Sequence, residues 1–233
     1  TTGKLDIASV GTLTANNATI TLTGTSGTLF TRTGTFTQGN SSVVMNPDAA
    51  VTLTSGTVTF HHLTLSPSIT AGRTYTFGAG AITVNGNFTI NPWAGSALLL
   101  TVNMGAAIAV TGTTTITGTT SGTSKLDTIS GSNYTFTSGN VNIAAAGTFA
   151  ANGSTIYLQG TSGTLFTRNG TFTQSNSYVI MNPDAAVTLT SGTVTFGHLQ
   201  LNPTLSAGRT YTFGAGAITV NGNFDINPTA GSA

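Results

Sequence analysis

The stretch AGRTYTFGAGAITVNGNF, residues 71–88, recurs without change at residues 207–224. It belongs to a longer repeat, because residues 24–97 match residues 160–233 at 62 of 74 positions, always at an offset of 136 residues. Repetition at a fixed long period is typical of arrays in which each unit buries one face against its neighbours. The sequence is therefore more informative about architecture than about a ligand.

Apolar residues within the repeat come in pairs at positions i and i+2, with Thr, Asn or Gly around them. The pairs of one copy are Val51 and Leu53, Val58 and Phe60, Leu63 and Leu65, Tyr75 and Phe77, Ile82 and Val84, and Phe88 and Ile90. Each pair predicts a short β-strand with two side chains on the same side, and the intervening Gly, Asn-Gly, Asn-Pro or Ser-Gly predicts a bend. No window keeps the spacing of an amphipathic helix.

Successive pairs mostly lie five to seven residues apart, which is short for strands joined by hairpins. Short strands separated by bends favour an all-β fold, a parallel β-solenoid (β-helix) in which each turn of chain pairs with the next. At about 20 residues per turn, the 136-residue repeat would form about six or seven turns and rise about 30 Å. A β-sandwich of short meandering strands is the alternative.

The repeat changes its phase near the middle of the chain. Lys4-Leu5-Asp6 recurs at residues 125–127, after 121 residues, whereas from residue 24 onward the offset is 136 residues. The second copy therefore holds 15 extra residues near positions 134–143, enough for one strand and its turn. We expect residues 1–97 to be a first repeat without its N-terminal part and residues 98–233 a second, continuous in one rod cut from a longer array.

Charged side chains are scarce, with six Lys and Arg, five Asp, no Glu and a formal net charge of +1 in 233 residues. Binding of nucleic acid requires clustered basic residues, so this function is not expected. No run approaches the ~18 apolar residues of a membrane helix, and a chain without Cys has no disulfides. We expect an ordered, hydroxyl-rich protein that is not inserted in a membrane.

Asp48 and Asp184, each in Asn-Pro-Asp, are the best acidic candidates for chemistry. Asn-Pro-Asp is also a favoured turn, and glycoside cleavage needs paired carboxylates, whereas the Asp residues here are far apart in the sequence. The turn interpretation is preferred, and no catalytic residue or enzymatic activity is predicted. Four arginines could pair with Asp or with a neighbouring molecule, or lie solvated in turns: Arg32, Arg73, Arg168 and Arg209.

His61 and His62 suggest a metal site, but the second copy has Gly197 and His198 at these positions. One remaining His without Cys or Glu is a poor ligand set, so neither a metal nor another cofactor is predicted.

Two further functions stay open on the sequence. Exposed Tyr75, Tyr211 and Trp93 would suit a carbohydrate-binding or carbohydrate-cleaving β-helix, although Thr229 replaces Trp93 in the second copy. Repeated Thr-x-Thr pairs resemble those of ice-binding proteins, although their spacing is irregular here.

The segment AITVNGNFTINP, residues 81–92, its near-copy at residues 217–228, and residues 34–65 resemble the strand-turn-strand unit of large repetitive bacterial exoproteins and β-helical adhesins. The resemblance implies a secreted or cell-surface structural module without catalytic residues.

A solenoid interrupted within its array exposes an unpaired turn at each end, which another copy can complete by strand addition. We therefore expect a structural module of a fibre, sheath or layer whose partner is itself, with an adhesin stalk that binds surface glycans as the alternative. The junction is predicted near residues 3–10 and 222–233. Its candidate residues are Lys4, Leu5, Asp6, Ile7, Phe224, Asp225 and Ile226.

Overall fold

The computed structural model describes residues 1–231, and all regular elements in them are β-strands. Every strand pair is parallel and joins residues 20 to 28 positions apart, so the chain winds as a parallel β-solenoid of about nine turns. The predicted solenoid is confirmed, and the β-sandwich alternative is wrong because such sheets are antiparallel. The described part of the chain contains no helix that could span a membrane.

Three columns of stacked strands form three faces of the rod. The first face contains β1 (Leu5–Ile7), β4 (Thr28–Arg32), β7 (Val51–Ser55), β11 (Arg73–Phe77), the second part of β14 (Trp93–Asn103), the second part of β16 (Thr119–Asp127), β18 (Gly147–Ala150), β21 (Thr171–Thr173), β24 (Val194–Phe196) and β28 (Ile218–Val220). Strands β21 and β24 contact each other on this face through the rings of Phe172 and Phe196, whose centroids are 6.0 Å apart.

The other two faces share the long strands β15 and β17. The second face contains β2 (Thr12–Thr14), β5 (Thr35–Thr37), β8 (Val58–Phe60), β12 (Ile82–Val84), the first parts of β15 (Ile108–Ile116) and β17 (Phe136–Ile143), β19 (Thr155–Leu158), β22 (Tyr178–Met181), β25 (His198–Leu201) and β29 (Phe224–Ile226). The third face contains β3 (Thr19–Leu22), β6 (Ser42–Met45), β9 (His62–Leu65), β13 (Phe88–Ile90), the second parts of β15 and β17, β20 (Thr164–Arg168), β23 (Val187–Ser191) and β27 (Tyr211–Phe213).

Short strands at the corners complete the set: β10 (Ser68–Ile69), β26 (Thr204–Leu205) and β30 (Thr229–Ala230). Strand β10 pairs with the first part of β14, and β26 pairs with β30 in the same way one repeat later. Strand β14 crosses the expected boundary between residues 97 and 98 without a break.

The core runs along the axis and is built by the predicted i, i+2 pairs. In β12 and β13 the two apolar side chains are buried and the Thr between them faces outward. Aromatic rings connect the turns: Phe30 packs edge-to-face against Phe36 and Phe60 with centroids 5.1 and 5.2 Å away. Such contacts add to the hydrophobic gain from burial and hold one turn on the next.

One bend in each copy requires glycine. Gly80 and Gly216 have φ angles of +112° and +118°, which side chains other than hydrogen rarely permit. A Cβ atom on either residue would also lie 2.3 Å from a backbone carbon of the preceding turn. The glycines that the sequence places in bends therefore allow two turns to approach each other closely.

The two copies lie on different faces. Lys4-Leu5-Asp6 and its recurrence at residues 125–127 are both on the first face, five turns apart. After this motif, the second copy crosses two more faces than the first copy before the two sequences match again. Strand β17 occupies these two additional faces. As a result β4 lies on the first face, whereas its counterpart β20 lies on the third.

From β4 to its counterpart β20 the chain makes five complete turns and crosses two further faces. This is fewer than the six or seven turns predicted for one repeat, because single turns contain up to 28 residues. The extra residues do form a strand, as expected from the phase change, but that strand covers two faces.

Candidate functional site: the two end turns of the rod

The side chains that the sequence singled out fall into two groups, one between successive turns along the rod and one at its ends. Asp48 belongs to the first group and connects two successive corners. It accepts hydrogen bonds from Arg73 Nε at 2.7 Å, from the Thr70 hydroxyl at 2.6 Å and from the Thr70 amide at 3.2 Å. The bonds from Arg73 and Thr70 lower the pKa of Asp48 to about 2. Asp48 is thus a clamp between neighbouring turns.

The second copy repeats this clamp with one conservative change. Asp184 accepts from the Ser206 hydroxyl at 2.6 Å and from Arg209 Nε at 3.1 Å. The hydrogen bond from Ser206, followed by the charge and hydrogen bond of Arg209, lowers the pKa of Asp184. Ser206 replaces Thr70 and keeps the hydroxyl donor, which is the group that the clamp uses.

Each clamp is accompanied by a tyrosine. The Tyr75 hydroxyl donates to the Pro47 carbonyl oxygen, and Tyr211 donates to that of Pro183 at 2.6 Å. Tyr75 is fully buried, and burial raises the pKa of its hydroxyl. The expectation of an exposed Tyr75 that stacks on a sugar is therefore wrong. Its alternation with Phe77 places both rings in the core.

The other two arginines bond to backbone rather than to carboxylates. Arg32 Nη2 donates to the Thr57 carbonyl oxygen at 2.8 Å, and Arg168 Nη1 donates to that of Thr193 at 2.6 Å. Within residues 1–231 neither arginine forms an ion pair. A third ion pair that the sequence did not single out joins Lys125 to Asp127 at 2.5 Å.

The histidines are acceptors between turns. His62 Nδ1 accepts from the Asn87 amide and His198 Nδ1 accepts from the Asn223 amide, both at 3.0 Å. Burial and the neighbouring His61 lower the pKa of His62. Among the described residues no three His, Asp or Glu side chains lie close enough to bind a metal ion together.

Outward Thr side chains form only short columns. On the third face Thr64, Thr89 and Thr115 stack in register, but Val44 precedes them and Asn142 follows. Such a column is too short for an extended array of equally spaced hydroxyl groups. The irregular spacing that weakened the ice-binding alternative is therefore also present in three dimensions.

The C-terminal turn differs sharply from its own counterpart in the first copy. Phe77, Phe88 and Ile90 are 0% exposed. The equivalent Phe213, Phe224 and Ile226 are 39%, 46% and 66% exposed. The sequence around them is nearly identical, so the difference arises because β14 and β15 cover the first copy, whereas no described strand covers the second.

The N-terminal turn is the other open end. Strand β1 pairs with β4 and β2 with β5, each on one side in the described chain. Strand β3 pairs with β6, and its outer edge is bridged by Thr2, which pairs with Leu22. Leu5, Leu13 and Ile20 are half-buried, while Ile7 and Leu22 are buried. Lys4 and Asp6 are exposed beside them.

The structure places the predicted junction residues at these two ends. Phe224 and Ile226 lie on β29, with Asp225 turned outward between them. Residues 232 and 233 of the predicted junction lie outside the described residues. The sequence interpretation did not assign the other apolar residues of the ends, which are Leu13, Ile20, Tyr211, Phe213, Ile218 and Val220. Continuing the copy alignment over the whole last turn would have indicated those at the C-terminal end.

Comparisons with protein-family models, with curated proteins and with solved structures found no match. The function is therefore proposed from the sequence and from the geometry of the rod.

Proposed function

We propose that this chain is a structural module of a secreted or cell-surface fibre, sheath or layer, and that copies associate end to end along the solenoid axis. One observation carries the proposal: side chains that are fully buried in the first copy are exposed in the equivalent C-terminal turn. The role is structural rather than catalytic, and no cofactor takes part.

Both ends offer what strand addition requires. In the described chain β1 and β2 at one end, and β27, β28 and β29 at the other, have one unpaired backbone edge, and apolar side chains lie beside these edges. The outer edge of β3 is bridged by Thr2. Unpaired edges with apolar surface readily recruit another strand. The formal net charge of +1 gives little repulsion between copies.

Secretion or surface display is supported by the resemblance of residues 81–92 and 217–228 to repeats of bacterial exoproteins. Immunolabelling of intact cells of the source organism tests this part. Labelling of the outer surface or the medium agrees with the proposal, and labelling only after lysis contradicts it.

Assembly is tested by electron microscopy and sedimentation over a range of protein concentrations. We expect filaments one rod wide that lengthen with concentration. Nine turns at the ~4.8 Å strand spacing make a single rod only about 43 Å long, so the two outcomes are easily told apart. Isolated rods at every concentration would overturn the assembly role and favour the adhesin-stalk alternative.

Two lysine variants locate the contact. Ile226→Lys places a charge on the open C-terminal turn and should abolish filaments. Thr74→Lys places the same charge on an exposed position in the middle of the rod and should leave them intact. Filaments that persist in Ile226→Lys would move the contact away from this end.

A further inference from the structure

The corner between the first and second faces forms a groove within the second copy. Three successive bends line it, those that lead from β16 to β17, from β18 to β19 and from β21 to β22. Its volume is about 310 Å³, at the lower end of the range found for ligand sites. The lining residues are all uncharged: Ser130, Gly131, Asn133, Asn152, Gly153, Ser175 and Asn176.

The backbone of this corner is held in unusual conformations. In the described chain six residues other than glycine have a positive φ angle, and four of them lie at this corner. They are Ile129, Asn133, Asn152 and Ser175, with φ angles of +64°, +49°, +49° and +42°. A positive φ is costly for a β-branched residue such as Ile129 and persists only where the surrounding contacts hold it. The groove is therefore a preformed feature of the fold.

Hydrogen bonds between turns fix the amide groups of the groove. Asn152 Nδ2 donates to Asp127 Oδ1 at 2.9 Å, and Asn133 Oδ1 accepts from the Gly153 amide at 3.1 Å. Asp127 is paired with Lys125 at 2.5 Å, so its charge is compensated. The other amide atoms, Asn152 Oδ1 and Asn133 Nδ2, form no hydrogen bond within residues 1–231. The groove thus presents an acceptor and a donor in fixed positions.

Tyr178 adds an aromatic surface beside the groove. It lies two residues after Asn176, about 7 Å along the chain, and is 38% exposed. In the next turn His198 stacks on one face of its ring, with centroids 4.2 Å apart and 6° between the planes. The other face points to the preceding turn, where the small Thr155 lies in register. The open face of the ring is therefore level with the middle bend, which contains Asn152.

We propose that this groove binds a neutral carbohydrate, with a sugar ring stacked on Tyr178 and the sugar hydroxyl groups bonded to the Asn side chains of the three bends. Amide side chains offer donors and acceptors together, which matches hydroxyl groups. An aromatic face packs against the C–H groups of a sugar ring. An anion requires Arg or Lys, and none of the residues that line the groove is either.

The size of this surface favours a saccharide over a protein partner. The groove spans three turns, about 10 Å along the axis at the ~4.8 Å strand spacing. Together with the Tyr178 ring it offers on the order of 200 Å², whereas a stable protein contact covers about 800 Å² on each partner. A few sugar rings fit such an area.

The first copy provides matched controls. Ser42 stands there in place of Tyr178, so the equivalent corner lacks the aromatic ring. Asn40 is the counterpart of Asn176, and both are exposed. Replacing Tyr178 by Ser therefore uses a residue that the same strand already accepts in the first copy.

Binding is measured with the wild-type protein on a printed array of neutral hexose, N-acetylhexosamine and uronic acid oligosaccharides, followed by calorimetry with the bound sugars. We expect binding of at least one neutral oligosaccharide. Tyr178→Ser should weaken it about tenfold through loss of stacking. Asn176→Ala should weaken it by a similar factor, whereas Asn40→Ala should bind like wild type. Circular dichroism and thermal melting check that the three variants fold.

Binding to no sugar on the array, or to uronic acids only, overturns the inference. Neutral sugar binding that neither Tyr178→Ser nor Asn176→Ala weakens also overturns it, because the sugar would then lie elsewhere on the rod. The groove lies on the side of the rod and does not rest on the proposed function. Filaments without sugar binding overturn the groove alone, and sugar binding by rods that stay isolated at every concentration overturns end-to-end assembly alone.

Discussion

Asp48 shows how a residue that resembles a catalytic acid is used to hold turns together. Its carboxylate reaches residues 22 and 25 positions later, which are near only because the chain has completed one turn. Three hydrogen bonds occupy its two oxygens, so the group is an acceptor in a fixed network.

Replacing Asp48 by Asn should lower the free energy of unfolding by about 1 kcal/mol at neutral pH, because a partly exposed ion pair and its hydrogen bonds are worth little more. The pKa of Asp48 falls from 3.8 to about 2 on folding, so the ionised group stabilises the fold above pH 4 and this contribution is lost as the pH falls through 2. Urea denaturation between pH 7 and 2 measures both effects.

The matched variant Asp184→Asn should have a smaller effect, because the side chains of Asp184 and Arg209 are the more exposed pair. Equal pH dependence in wild type and Asp48→Asn would mean that other carboxylates cause the acid destabilisation.

Tyr75→Phe should destabilise the rod by about 1 to 2 kcal/mol, because it removes the donor to the buried Pro47 carbonyl without changing the packing of the ring. Tyr211→Phe is the internal control, since its hydroxyl lies at the more open end and water can replace it. Thermal or urea denaturation should rank the two variants in this order. A larger loss for Tyr211→Phe would contradict the assigned burial.

At the scale of single strands, β13 and β29 differ in sequence at one residue, Thr89 against Asp225, yet have opposite environments. Both place Phe and Ile on the inward side. Strand β13 is covered by β15, whereas within residues 1–231 β29 pairs only with the preceding β25. Local sequence therefore decides which side chains turn inward, and the next turn decides whether they are buried.

Truncation of the equivalent phenylalanines measures this difference. Phe88→Ala should cost about 3 to 5 kcal/mol, the usual loss for a buried aromatic side chain. Phe224→Ala should cost about 1 kcal/mol or less at low protein concentration, because its side chain is already 46% exposed. Urea denaturation of dilute samples gives both values. Equal losses would show that the C-terminal turn is covered even in dilute solution.

On the scale of the whole molecule, β17 sets the relative orientation of the two copies. Five turns separate the two Lys-Leu-Asp motifs, which therefore lie on the same face. Strand β17 then adds two faces, so every later strand of the second copy is rotated about the axis relative to its counterpart in the first copy. The clamps, arginines and histidines of the second copy consequently lie on other sides of the rod than those of the first. A flat partner that bound one copy would not find the same side chains of the second copy on that side.

Replacing residues 128–146 by Ile-Ala-Ser-Val, the linker at residues 7–10, should realign the copies without breaking the solenoid. Thr74 and Thr210 would then share a face five turns apart, about 24 Å at the ~4.8 Å strand spacing. In the native chain β11 and β27 lie on different faces, so the distance is longer and crosses the rod. Distances between spin labels at the two positions distinguish these states, and an unchanged distance would refute the role of β17.

The sequence by itself determined the class of fold, the strand positions, the inward residues and the existence of an inserted strand. Each of these follows from local rules: alternation sets which side chains turn inward, and Gly, Asn and Pro set the bends. The prediction that Asn-Pro-Asp occupies a bend, between β6 and β7 and between β22 and β23, agrees with where the chain turns.

Only the tertiary structure decided which residues meet across turns. Turns vary between 20 and 28 residues, so the pairing of Asp48 with Arg73 could not be read from spacing. The orientation of the copies and the openness of the last turn were hidden for the same reason. Stacking depends on the summed length of all preceding turns, and burial of a strand depends on whether a further turn covers it, whereas local sequence encodes neither.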